Sequence, residues 1–348
     1  MSTPGQHLAP PDLVDELESV DRLDPLDGFQ QAVLRLIRER LRDGVDVLDV
    51  SGAVADANDL LVTRLIALAE EHLGTPPVRY RWLALGSHGR REQVLSSDQD
   101  HAIAYESPDP ELQPAAHEYF TALAGLVVPA LARAGLPLCA GGYMATRWCR
   151  PLADYEQMFR GWVEEPRPQA LLQAEVFLDT RASSGDLPVD ILDRILRGGG
   201  TRGPFRAQLA RAAVLFRPPL GWFGRIRRTG DAVDVKIGGT AAIVLLARLY
   251  ALAAGSDEHS TVPRIRSASA AGALGGPGAE SLEQAYRFLT DLRMRHQVAQ
   301  VAAGRPADNL VPVASLTDVQ RRRLTEVLRL VRDLQDVTAM RFATSSMM

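Results

Sequence analysis

The sequence predicts an α+β protein in which a small mixed sheet is flanked by N-terminal helices and followed by a C-terminal helical bundle. Three observations carry that reading. The apolar run around Trp82 to Leu85 has the composition of a buried strand, a second short apolar segment follows Asp98-Gln-Asp100, and the C-terminal part of the chain places apolar residues three and four apart. Size agrees: 348 residues, 46% of them hydrophobic, suffice for two or three domains.

Taken in order, residues 1–27 are rich in Pro, Asp and Ser and read as a loose leader. Residues 28–75 form a helical region, because Phe29 to Leu41 and Ala53 to Leu73 carry apolar residues at helical spacing. These helices either offer a homodimer surface or cover the edge of the sheet. Residues 76–200 hold the sheet: a strand, a turn with a short helix, a second strand, a helix over Glu111 to Ala134 and a strand over Leu136 to Met144. From Pro151 to about Phe216 the spacing turns helical again, with breaks expected at Pro166-Arg-Pro168, Ser183-Ser-Gly185 and Gly198-Gly-Gly200, so the chain is expected to have left the sheet. Residues 201–348 predict the bundle, with helices over Thr240 to Ala253, Ser281 to Ala303 and Thr317 to Phe342 and a Gly/Ala-rich link over Ala270 to Gly278.

Charge and cysteine content narrow the function. A formal charge of −4 and a pI near 6.0 give no general attraction to nucleic acid, which is therefore not an expected partner. Cys139 and Cys149 are the only cysteines, and the chain does not open on a basic, apolar, small-residue pattern. A cytoplasmic, reduced setting is expected, without signal peptide or disulfide framework. Apolar stretches such as Ala241 to Ala247, ended by Arg248, are short, and no membrane segment is expected.

The densest chemistry lies in Gly86-Ser-His-Gly-Arg-Arg-Glu-Gln followed by Ser97-Asp98-Gln-Asp100. Side chains two apart on a strand share a face, so Asp98 and Asp100 can present two carboxylates to a metal. Mg2+, or Mn2+ in its place, takes hard oxygen ligands and leaves room for substrate phosphates. Gly86 lets the backbone approach a triphosphate, with Ser87 and Gly89 in the same turn. Arg90 or Arg91 would offset phosphate charge, and Glu92 would orient an arginine. His88 and His101 read as hydrogen-bonding residues, because no cluster at zinc-ligand spacing accompanies them. Cys139 reads as a small buried residue on a strand. Lys236, ahead of Gly238-Gly-Thr240, marks either a helix start that meets an anion or an ordinary capped loop. His296 shares a helical stripe with Leu282, Ala285, Leu289 and Leu292 and reads as a packed histidine.

These residues, with Cys139-Ala-Gly-Gly-Tyr-Met-Ala145 and Phe177-Leu-Asp179-Thr-Arg181, resemble a bacterial nucleotidyltransferase family that often follows CBS and cyclic-nucleotide-binding domains. The family is more distantly similar to the PII-protein uridylyltransferases. Asp234-Val-Lys236-Ile-Gly-Gly239, Leu292-Arg-Met-Arg-His296-Gln297 and Gly304-Arg-Pro-Ala-Asp308-Asn309 resemble its helical substrate-binding domain. The resemblance implies a polymerase-β-like domain over 76–200, and a helical domain over 201–348 that closes a cleft over the nucleotide. In that chemistry, metal-bound Asp98 and Asp100 align a nucleoside triphosphate (NTP) and activate an acceptor hydroxyl, which expels pyrophosphate. Gly86, Ser87, Gly89, Arg90, Arg91 and Lys236 would bind the nucleotide, and the acceptor would be a protein or a small molecule. Many such transferases carry a third carboxylate on the next strand, yet Tyr119 through Ala153 contains no Asp or Glu. Of Asp154, Glu156, Glu175 and Asp179, the last fits best, either as an additional ligand or in an ion pair with Arg181. A protein that binds nucleotide as a regulatory module, without turnover, is the alternative. The N-terminal helices stand where relatives carry sensory modules, so adenine-nucleotide regulation through such modules is not implied.

Overall fold

In the computed structural model, which describes residues 11–23, 28–107, 109–167, 174–221 and 225–342, the chain divides into two compact units. The first takes Met1–Phe159 and Ala174–Leu192, the second Arg160–Gln173 and Asp193–Met348.

The first unit is built on a four-stranded sheet in the order β3-β2-β1-β4, where β1 is Tyr80–Ala84, β2 is His101–Tyr105, β3 is Cys149–Pro151 and β4 is Arg181–Gly185. β1 runs antiparallel to β2 and β4, while β2 runs parallel to β3, so the sheet is mixed, as the sequence predicts. β2 is buried at all five positions, which suits its His-Ala-Ile-Ala-Tyr sequence to a place between two neighbours. Among the described residues three helices precede the sheet: α1 (Pro11–Glu18), which lies in the stretch read as a loose leader, α2 (Phe29–Arg42) and α3 (Val47–Leu73). Asp46 starts α3 by accepting a hydrogen bond from Leu48 N–H at 2.9 Å. α3 packs against β4 and against α5 (Gln113–Arg133), whose Phe120 stacks on Tyr105 with ring centroids 5.1 Å apart.

Two expectations about the sheet are corrected. Leu136 to Met144 is not a strand: a single bridge joins Leu138 to Gln99, and the third strand falls at Cys149–Pro151. Nor does Ser183-Ser-Gly185 break the structure, for it lies in β4, and the chain returns to the sheet beside β1. A Cβ at Gly185 would lie 2.4 Å from the Tyr80 carbonyl oxygen, so this glycine allows a close strand approach at an irregular step in the ladder.

The second unit is helical: the chain passes into it along α6 (Leu152–Glu164) and again along α7 (Asp190–Gly199), and then come α8 (Gly203–Leu215), α9 (Ala241–Ala253), α10 (Thr261–Ala270), α11 (Gly276–Ala302) and α12 (Asp318–Arg341). α12 begins in a capping box in which Thr317 and Gln320 satisfy each other's backbone N–H groups. A two-stranded antiparallel ribbon, β5 (Ala232–Asp234) with β6 (Leu310–Pro312), and the helix α10 go beyond the bundle read from the sequence. Gln113–Arg133 and Lys236–Ala253 have the length and hydropathy of a membrane span, but 78% of the second one's apolar window is buried, as in a core helix.

Candidate active site

β1 ends at Ala84, and Leu85 leads into a single helical turn, α4 (Gly86–Gly89). Leu85 N–H donates to the Asp100 carbonyl at 2.9 Å, which sets this turn beside the lead-in to β2. Asp98 and Asp100 flank Gln99 in that lead-in, just before the strand itself. Gln99 is buried while both aspartates are partly exposed, as the two-residue alternation requires. A Cβ on Gly86 would stand 3.0 Å from Asp100 Oδ2, so the turn and the carboxylate pair share one site.

A third donor joins the pair. One ligand atom each from Asp98, Asp100 and Cys139 lie within 4.8 Å of one another. Burial pushes the Cys139 thiol up to about 11, with the Asp100 and Asp98 charges adding to the rise. The turn that carries Cys139 is tied to β2 by a polar chain: Ala145 N–H donates to His101 Nδ1 at 2.9 Å, His101 Nε2 donates to Gln99 Oε1 at 3.0 Å, and Gln99 Nε2 donates to the Leu136 carbonyl at 2.9 Å. His101 is the neutral tautomer here, and burial lowers its pKa to about 3. Two carboxylates suit Mg2+ or Mn2+, and the sulfur beside them suits a softer ion.

The remaining motif residues hold the turn in place. Arg90 donates from Nε to Glu92 at 2.7 Å and from Nη1 to Asp179 at 2.5 Å, with Asp179 fully buried. Glu92 does orient an arginine, and Asp179 does not join the donor cluster around Asp98. Nor does Asp179 pair with Arg181, which bonds instead to Asp59 on α3 at 2.8 Å. Arg91 is paired with Asp56 of α3 at 2.5 Å and keeps a partly exposed side chain. Gly89 is pressed against the fold, since a Cβ there would lie 1.9 Å from the Asp179 carbonyl oxygen. Ser87 is partly exposed in the same turn, and its carbonyl accepts from Glu92 N–H at 2.8 Å.

Sequence reasoning missed the part played by α3. Asp59 accepts from His88 Nε2 at 2.8 Å, from Ser183 Oγ at 3.0 Å and from Arg181, while Asn58 donates to Gln93 Oε1 at 2.9 Å. Burial opposes the Asp59 charge, but His88, Arg181 and Ser183 outweigh it and hold the carboxyl well below the usual aspartate range. A signal was present: Asp56, Asn58 and Asp59 interrupt an otherwise apolar helical stretch.

In the second unit, the N–H groups of Lys236 and Ile237 do meet an anion, but it is the chain's own Asp234 carboxylate, at 2.7 and 2.9 Å. The Lys236 side chain is exposed. The other motifs interlock: Arg293 Nε donates to Asn309 Oδ1 at 2.5 Å, His296 Nε2 to Asp308 at 3.0 Å, and Val235 N–H to the Asn309 carbonyl at 3.1 Å.

Two family models match the chain. Residues 31–169 match the family described as "Putative nucleotidyltransferase DUF294", and residues 203–342 match "Putative nucleotidyltransferase substrate binding domain". The two matched stretches together span most of the chain, and they support a nucleotidyltransferase role in general. No curated protein matches the chain.

Proposed function

We propose that the chain transfers a nucleoside monophosphate from an NTP to a hydroxyl on a protein or small molecule, with release of pyrophosphate, in a reaction dependent on Mg2+ or Mn2+. The convergence of Asp98 and Asp100 beside the Gly86 turn carries this reading. The two carboxylates would hold the cation, which when bound supplies charge neutralisation for the phosphates. Gly86 and Ser87 would line the phosphate path, because a turn that begins at Gly86 leaves its first backbone N–H groups without intrahelical acceptors. Arg91, whose side chain is partly exposed, is better disposed than Arg90 to offset phosphate charge. The protein acceptor follows from the resemblance to PII uridylyltransferases.

The test is pyrophosphate release from each of the four NTPs with Mg2+, in cell extract freed of small molecules, comparing wild type with Asp98→Asn/Asp100→Asn. Release that depends on both aspartates, with label from one α-labelled NTP on a protein or metabolite, is the expected result. A second reading, a nucleotide-binding regulatory module without turnover, is favoured by the lack of a third carboxylate among the described donors near the pair. Saturable nucleotide binding with no release above the mutant would establish it.

A further inference from the structure

Cys139 enters the carboxylate pair from a separate stretch of chain, and its sulfur belongs to the same cluster of donor atoms, all within 4.8 Å of one another. We propose that Asp98, Asp100 and Cys139 together bind a thiophilic divalent cation of the Zn2+ class in preference to Mg2+, so that such an ion displaces the one the transfer uses. The proposal rests on the carboxylate pair being the metal site of the transferase.

The donor set argues for this selectivity. Zn2+ accepts thiolate and carboxylate ligands together, whereas Mg2+ demands hard oxygens and does not gain from sulfur. Zinc bonds of 2.0–2.3 Å put two donors of one tetrahedral ion about 3.5 Å apart, so atoms already within 4.8 Å converge on one ion through small side-chain rotations. Three protein donors leave the fourth position for water or phosphate, the pattern of an accessible rather than a closed zinc site. Binding replaces the thiol proton by the metal, and the proton leaves to solvent.

The backbone holds the sulfur in place. Gly142 N–H donates to the Cys139 carbonyl at 3.0 Å and closes a tight turn, while a Cβ at Gly141 would stand 3.5 Å from Sγ. Gln99 N–H donates to the Pro137 carbonyl at 2.8 Å, and His101 N–H to the Tyr143 carbonyl at 2.9 Å. These bonds alternate with the two aspartates along the chain, so the turn and the carboxylate pair are fixed to each other from both sides.

The experiment uses the full chain, reduced and freed of metal. Cd2+ serves as a spectroscopic stand-in through its thiolate charge-transfer absorption. The rate at which N-ethylmaleimide alkylates Cys139 is read by mass spectrometry, with Cys149 as internal control. We expect a saturable Cd2+ band at one ion per chain and at least about tenfold slower alkylation of Cys139 with Zn2+, but not with equimolar Mg2+. Cys139→Ser should abolish the band and weaken Zn2+ binding by more than the ~10–100-fold that loss of an outer-shell partner costs. Asp98→Asn/Asp100→Asn, which keeps the thiol, should weaken it comparably and serves should the cysteine variant fail to fold. Absence of the band, its persistence at full affinity in the aspartate variant, or equal protection by Mg2+ would overturn the proposal. Failure of the transferase reading shows separately, as absence of Mg2+-supported pyrophosphate release from the metal-free wild type.

Discussion

His88 Nε2 donates to Asp59 Oδ1 at 2.8 Å, and this bond ties the turn that opens the candidate active site to a helix that ends before the sheet begins. Asp59 also takes Arg181 and Ser183, so one carboxylate joins α3, the Gly86 turn and β4. Its side chain is only 16% exposed, which places the three bonds largely out of water. Asp59→Ala leaves His88 and Arg181 unpaired and is expected to cost about 3 kcal/mol, the usual penalty for removing one partner of a buried pair. Urea unfolding monitored by circular dichroism measures it, and a loss under about 0.5 kcal/mol, the scale of an ordinary surface change, would show that the network is incidental.

The same carboxylate predicts a pH dependence. Its folded pKa lies below the ordinary value of 3.8, so the unfolded chain takes up the proton first as pH falls. The stabilisation is therefore fully present above the ordinary aspartate range and is lost progressively as pH drops through that range toward the lower folded value. Asp59→Asn should flatten the fall in stability between roughly pH 5 and pH 3. Parallel slopes for wild type and variant in urea titrations across that window would contradict it.

Gly86 and Gly89 should separate in their consequences, although both sit in one turn. At Gly89 a methyl group would meet the Asp179 carbonyl at 1.9 Å and the Ala84 carbonyl at 2.9 Å, both backbone. Gly89→Ala is expected to destabilise by about 3 kcal/mol or more, at or beyond the usual limit of overpacking. Gly86 has φ +55°, and its methyl would face Asp100 Oδ2 at 3.0 Å. Gly86→Ala should cost about 1–2 kcal/mol for the left-handed backbone yet abolish nucleotide binding. Thermal unfolding paired with nucleotide titration reads both, and equal effects on stability would refute the distinction.

Arg90 and Asp179 should behave as a coupled pair. Their side chains are 13% and 0% exposed, and the contact is 2.5 Å. Arg90→Met and Asp179→Asn are each expected to cost about 3 kcal/mol by removing one charge of a buried pair, while the double variant should cost clearly less than the sum. Strict additivity in the double-mutant cycle would mean that the contact contributes nothing of its own.

The legible parts of this molecule were the local ones. β1, the Gly86 turn, the spacing of Asp98 and Asp100, and the helices α2, α5, α9 and α12 follow from periodicity and from residues close in sequence. What escaped depends on distant partners. β4 read as a break because Ser183-Ser-Gly185 has the composition of a turn, and only its pairing with the distant β1, Leu83 with Ala182 and Arg81 with Gly185, makes a strand of it. Leu136 to Met144 has the apolar content of a strand, but its backbone bonds go to single residues of the β2 lead-in rather than to a ladder. Cys139 read as inert because the carboxylates beside it stand about 40 positions earlier. The clamp from α3 joins Asp59 to Arg181 across 122 positions, a separation at which no sequence window reports.

That clamp decides where the smallest working piece of this protein can begin. A fragment starting at residue 76 keeps every motif residue from Gly86 to Asp100, yet it discards Asp56, Asn58 and Asp59. His88, Arg91, Gln93 and Arg181 would then lose those partners all at once. Such a piece would keep the carboxylate pair but lose the helix that braces the turn beside it. Excision for biochemistry therefore has to start upstream of Asp46, where the supporting helix begins.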